Sequence, residues 1–134
     1  MRKITEIIIH CADTPEGRND KAADIRRWHK AKGWNDIGYH YVIDLDGTIE
    51  AGRDIEQAGA HAQGHNANSI GICYIGGKRL NKPADTRTDA QKSSMLLLLK
   101  YLRQKYPNSK IIGHRDVSEK PCPCFDAKDE YKDL

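Results

Sequence analysis

Two apolar runs in this chain end in histidine: IIIH closes on His10 and IIGH closes on His114. If both runs are strands that lie parallel and adjacent, the two imidazoles share the carboxyl rim of one sheet, where open sheets carry their sites. Soon after His114, the segment EKPCPCF sets a proline ahead of Cys122 and another ahead of Cys124. Each proline pushes the residue before it toward extended backbone. In extended chain, residues two apart face the same side, so Lys120, Cys122 and Cys124 are expected to face the rim that holds His10 and His114. Two neutral imidazoles and one thiolate make a three-ligand zinc site with a fourth position open to water, the pattern of catalytic rather than structural zinc. The long gap between the histidines is not zinc-finger spacing, so the fold must bring them together. Alternatives stay open on these residues alone. Either histidine serves equally well as a structural hydrogen-bonder, and the two cysteines as buried, inert thiols.

The elements that must position these groups follow along the chain. Residues 4 to 11 are a β-branched run that reads as a buried central strand, and the polar DTPEGRND after it reads as a loop. Ala22, Ile25, Trp28 and His29 fall on one face of an amphipathic helix over residues 20 to 32, stopped by Gly33. In GYHYVIDLDGTIEAGRD, two alternating strands flank Asp46 and Gly47, a pair suited to the positive φ angles of a tight hairpin. The aperiodic QAGAHAQGHNANS reads as a close-packed or functional loop ahead of a strand over 70 to 75. Gly76, Gly77 and the polar stretch to Arg87 read as a second loop. Thr88 with Gln91 has the form of a capping box, and Met95 to Leu99 with Tyr101 and Leu102 mark the main core helix, closed before Pro107. KIIGHRD is then a short strand. The order strand, helix, hairpin, strand, helix, strand predicts an α/β fold, a single domain with a mixed central β-sheet flanked by helices on both faces.

A length of 134 residues suits one domain. With 38% hydrophobic and 31% charged residues, the chain is too apolar for disorder and too polar for a membrane protein. The start MRKITEIIIHCAD offers no adequate apolar core and no small-residue cleavage site, so no export signal is expected. No stretch nears the roughly 20 apolar residues of a membrane span. Net charge is +3, and Lys and Arg are spread among acids rather than gathered into a basic block. Neither nucleic acid nor membrane is therefore expected as a partner, and a monomer is the expectation for this size. Without a secretion signal, Cys11, Cys73, Cys122 and Cys124 are expected as thiols or ligands rather than as a disulfide framework.

Four segments, IIIHCADT, IRRWHKAKGWNDIGYHYVIDLDGTIEAGRD, GAHAQGHNANSIGICYIGG and GHRDVSEKPCPCFD, resemble the type 2 N-acetylmuramoyl-L-alanine amidases in order and spacing, and more distantly the peptidoglycan recognition proteins. The resemblance runs over nearly the whole length. It implies one zinc amidase catalytic domain over residues 1–134, which cuts peptidoglycan between N-acetylmuramic acid and L-alanine. It implies one zinc ion held by His10, His114 and Cys122, with Tyr39 and Lys120 as catalytic residues. His61 matches a position lining the substrate groove, and Asn68 is expected to contact the stem peptide from the same wall. Residue type alone would make Tyr39 a core aromatic on the strand face of Tyr41 and Ile43, and Lys120 a solvated charge. His29 and His40 read as structural or packing groups and His65 as exposed. Cys124 departs from the family pattern by adding a second thiol beside Cys122. The segment ahead of the first strand is shorter than the arm through which a phage member binds RNA polymerase, so polymerase binding is not expected. A wall hydrolase of this kind, from phage or bacterium, would be made in the cytoplasm and reach the wall through lysis, a holin or another export route. The competing expectation is a module that binds peptidoglycan without cutting it. Non-cutting members commonly lose the cysteine ligand, and Cys122 is present.

Overall fold

The computed structural model describes residues 2–134. In chain order the elements are β1 (Glu6–Cys11), β2 (Thr14–Pro15), α1 (Ala22–Ala31), β3 (Tyr41–Ile43), β4 (Ile49–Ala51), β5 (Ser69–Tyr74), β6 (Gly77–Arg79), β7 (Lys82–Pro83), α2 (Asp89–Lys105), β8 (Lys110–Gly113) and α3 (Ala127–Glu130). Ile7, Ile8 and Ile9 are consecutive, so they cannot all face one side of a strand, yet all are fully buried. β1 must therefore be covered on both faces, as strands of parallel sheets are. The main sheet runs β4-β3-β5-β1-β8. β1 pairs in parallel with β5 and with β8, β3 pairs in parallel with β5, and β4 closes one edge antiparallel to β3. The sheet is mixed, as expected, although β5 rather than β1 takes its centre.

Alternation along the strands divides the core. Ile7, Ile9, Ile70, Ile72 and Ile43 pack with Met95, Leu99 and Leu102 of α2, while Val42, Cys73 and Ile75 meet Ala22 and Ile25 of α1 on the opposite face. Ile8 lies on that second side with Ala62 and Ile112, so His10, two residues on from Ile8, emerges on the α1 side of the rim. Each helix is held at its start. Thr88 Oγ1 accepts from Gln91 N–H at 3.0 Å, and Thr88 N–H donates to Gln91 Oε1 at 2.9 Å, which completes the expected capping box. Gln91 then spends its amide on the sheet, donating to Ile75 O at 2.9 Å and Ile43 O at 3.2 Å. At α1, Ala22 N–H donates to Glu50 Oε2 at 2.8 Å, which joins the helix to β4.

Three local expectations change. The β3–β4 connection is wider than a two-residue turn: Asp44 N–H bonds Thr48 O at 2.9 Å, and of Asp46 and Gly47 only Gly47 takes a positive φ, +89°. The loop before Arg87 holds a hairpin, β6 with β7, which joins β2 in a second sheet of three short strands. Tyr39 lies ahead of β3, outside its alternation, and packs with Val42 and Ile25 rather than with Tyr41 and Ile43.

Candidate active site

His10 sits one residue before the end of β1, and His114 follows β8 directly in a short 3₁₀ turn, His114–Asp116. Ile9 pairs with Gly113 in parallel register, so the two histidines leave adjacent strands side by side, with ring centroids 4.5 Å apart. The third group arrives from the segment after β8. Donor atoms of His10, His114 and Cys122 all lie within 4.8 Å of one another. Cys122 Sγ is steadied from β1, where Cys11 N–H reaches it at 3.1 Å. The segment carrying it is not extended, contrary to expectation. Residues 121 to 124 fold into a turn closed by Cys124 N–H on Pro121 O at 2.8 Å, with the Cys122–Pro123 peptide cis and Cys124 at φ +72°. Cys122 and Cys124 consequently part company. Cys122 turns to the histidines while its sulfur stays against Cys11, and Cys124 turns to the Cys11 thiol, with the two sulfurs of that second pair 3.9 Å apart.

This turn is anchored from below. Tyr74 Oη donates to Pro123 O at 2.7 Å, and the Arg87 guanidinium, 3.4 Å over the Phe125 ring, pairs with Asp85 and Glu130 at 2.9 Å each. A buried cation so enclosed fixes the chain on either side of it.

His10 is almost fully buried, with 1% exposure. Burial first, then the positive fields of His61, His114 and Lys120, hold its pKa well below the usual imidazole value. Burial and Lys120 lower His114 as well. Both rings are therefore neutral at physiological pH, the form that binds a cation. His10 Nε2 shares a 2.8 Å hydrogen bond with His61 Nδ1, and His61 Nε2 meets Ser69 Oγ at 3.2 Å. His10 thus keeps Nδ1 for another partner. Two neutral imidazole nitrogens and one thiol sulfur, converging with an open side, fit a zinc ion in donor type and number.

The donors form part of the lining of a cleft of about 450 Å³, with Tyr39, His61 and Lys120 among its other walls. The Tyr39 ring lies 5.0 Å from that of His10. Burial first, then the Cys73, Cys122 and Cys11 thiols, raises its pKa, so the hydroxyl stays protonated and remains a donor. Lys120 is exposed at the mouth. Asn68 is not brought to this cleft. It stands at the amino end of β5, where its amide donates to Lys3 O at 2.9 Å. His29 accepts from Gly38 N–H at 2.8 Å and His40 from Gly71 N–H at 3.0 Å, both structural uses. His65 is only partly exposed and bonds Glu6 at 2.9 Å. Trp28, Lys32, Trp34 and Asp13 also line the cleft. None was singled out for it from sequence, although an exposed tryptophan just past a helix-stopping glycine was a usable signal for Trp34.

Comparison with known proteins identifies the family. Residues 1–125 match the family model described as N-acetylmuramoyl-L-alanine amidase. The endolysin of Enterobacteria phage T3 is 46% identical over 129 residues, spanning 95% of this chain and 85% of that protein. Among solved structures, the N-acetylmuramoyl-L-alanine amidase LysC from Clostridium intestinale superposes with a TM-score of 0.82 at 32% identity, covering 96% of this chain and 82% of its own. A Drosophila PGRP-LB variant in complex with tracheal cytotoxin gives a TM-score of 0.81 at 28% identity, over 100% of this chain and 83% of that one. On the fold, the converging donors and these matches together, the chain belongs to the N-acetylmuramoyl-L-alanine amidase family and is a peptidoglycan amidase.

Proposed function

We propose that this enzyme is a zinc-dependent hydrolase of the amide bond between the lactyl group of N-acetylmuramic acid and the first L-alanine of the stem peptide, acting on the bacterial cell wall as a lytic enzyme. The observation that carries the reading is the convergence of His10, His114 and Cys122 donors within 4.8 Å in a cleft of about 450 Å³. One zinc ion held there would polarise the scissile carbonyl and bring the pKa of a water to about 7.

The chain's own residues supply the rest. Cys11 N–H on Cys122 Sγ fixes the position of the sulfur. His61 holds the His10 ring through Nε2, setting both tautomer and orientation, so it acts here as a positioning residue as well as a wall of the groove. Tyr39, half-buried and protonated, offers a hydroxyl donor, and Lys120 offers an exposed ammonium. Both can be aimed at negative charge that grows on the carbonyl oxygen as the amide is attacked. Among the described residues no helix is long and apolar enough to cross a membrane, in keeping with an enzyme that reaches the wall by lysis or an export route.

The test is to incubate the protein with purified peptidoglycan, with a chelator or with added zinc, and analyse the products by mass spectrometry. Intact stem peptides with a free amino-terminal L-alanine, released only with zinc, are expected. Binding to the wall without release, by protein loaded with zinc, would overturn the proposal.

A further inference from the structure

Two thiols beside the metal donors have no part in the chemistry above. Cys11 follows His10 and is buried, while Cys124 lies two residues past Cys122 and is half-buried. Their sulfurs are in van der Waals contact at 3.9 Å. The backbone of β6 closes over the pair. Cys124 Sγ rests 3.5 Å from Gly77 O, and Gly77 lies so close that a Cβ there would stand 2.6 Å from Cys11 Sγ. The two segments are already held, Cys11 by the β1–β5 ladder and Cys124 by the turn pinned to Tyr74 and Pro121. A disulfide needs the sulfurs at about 2.05 Å, so closure asks for side-chain rotation of under about 2 Å rather than a rearranged backbone.

We propose that Cys11 and Cys124 are a reversible disulfide site, closed by a small-molecule disulfide oxidant, and that their pairing leaves Cys122 free to ligate a metal. The more accessible thiolate, Cys124, attacks the oxidant's disulfide; a mixed disulfide forms and one oxidant thiolate leaves and takes up a proton. Cys11 then attacks Cys124 Sγ, the Cys11–Cys124 bond forms, and the second oxidant thiolate leaves and is protonated. Two cysteine thiols lose two electrons and two protons, and the oxidant becomes two thiols. Cys11 is buried and Cys124 half-buried, so the oxidant reaches the pair slowly. Once made, the bond ties the end of β1 to the segment carrying Lys120 and Cys122, and it closes a loop of most of the chain.

The test uses zinc-loaded protein held with excess glutathione disulfide in mildly alkaline buffer, after which free thiols are alkylated and the digest is mapped with fragmentation. The expected product joins the Cys11 peptide to the Cys122–Cys124 peptide through Cys124, with Cys122 alkylated. Zinc should remain bound, the urea midpoint should rise, and dithiothreitol should restore both thiols. Cys124→Ser should give no such cross-link. Cys11 joined to Cys122, glutathione adducts without a cross-link, or thiols that stay free after prolonged exposure would overturn the inference. Cross-linking in protein that binds no zinc would sink the metal reading and leave this one standing.

Discussion

Tyr39, Lys120 and His61 are separable by what their loss should change. Tyr39→Phe removes only a hydroxyl from a half-buried ring, so kcat should fall on the order of a hundredfold with zinc content unchanged, as expected for a donor to developing charge. His61→Ala removes the partner of His10 Nε2. It should weaken zinc binding by about 10- to 100-fold, read by competition with a chromophoric chelator, while peptidoglycan turnover recovers at saturating zinc. If His61 only lined the groove, KM would rise instead and zinc affinity would hold. The convergence of His10, His114 and Cys122 was legible because each histidine ends an apolar strand and the cysteine sits in an unusual proline frame. Cys124 was not, because the prolines build a turn rather than extended chain, and a turn breaks the two-residue rule that grouped it with Cys122. Asn68 shows the limit of carrying a role over from a resemblance. One residue before β5 puts it at the amino end of the sheet, a full strand length from the rim.

At the scale of elements, the site depends on helices and turns that never touch it. Gln91 is fully buried and its amide satisfies Ile43 O and Ile75 O at the strand ends. Gln91→Leu should cost about 1–3 kcal/mol in urea unfolding, since it takes the side-chain donor from Ile75 O and opens the capping box, while Ile43 O keeps the Ile75 N–H. Arg87→Met should cost at least about 2 kcal/mol and should also lower zinc affinity, because Arg87 fixes the chain that follows Cys124. An effect on stability alone would show that the Cys122 turn holds its shape without that anchor. Long elements with a clear period, such as α2 and its cap, could be read directly from sequence. The short sheet of β2, β6 and β7 could not, since strands of two or three residues carry no alternation to detect. The β3–β4 turn was misjudged for a related reason: Gly47 alone provides the positive φ, and Asp44 and Thr48 set the width.

For the molecule as a whole, pH stability follows from two opposed sets of groups. His29 and His40 are lowered to about 4 and His61 to about 3, in each case by burial first. Their unfolded values are about 6.5, so the unfolded chain binds more protons, and stability present above that pH is lost as pH falls below it. Asp44 runs the other way. Burial first, then its hydrogen bond and charge repulsion with Glu50, raise it to about 7. Its contribution is full below about pH 4 and is lost as pH rises through about 7. Metal-free protein should therefore unfold more easily in urea as pH drops from about 6.5 toward 5, and Asp44→Asn should steepen that loss by removing the opposing slope. A shallower loss in the variant would contradict the assignment of Asp44. The whole fold thus brings two distant histidines and a cysteine to one rim as neutral imidazoles and a thiol, and the most direct measurement of that claim is X-ray absorption at the zinc edge of the loaded enzyme. One sulfur at about 2.3 Å with imidazole nitrogens at about 2.0–2.1 Å is the predicted shell; a shell with no sulfur, or with two, would contradict the site built from His10, His114 and Cys122.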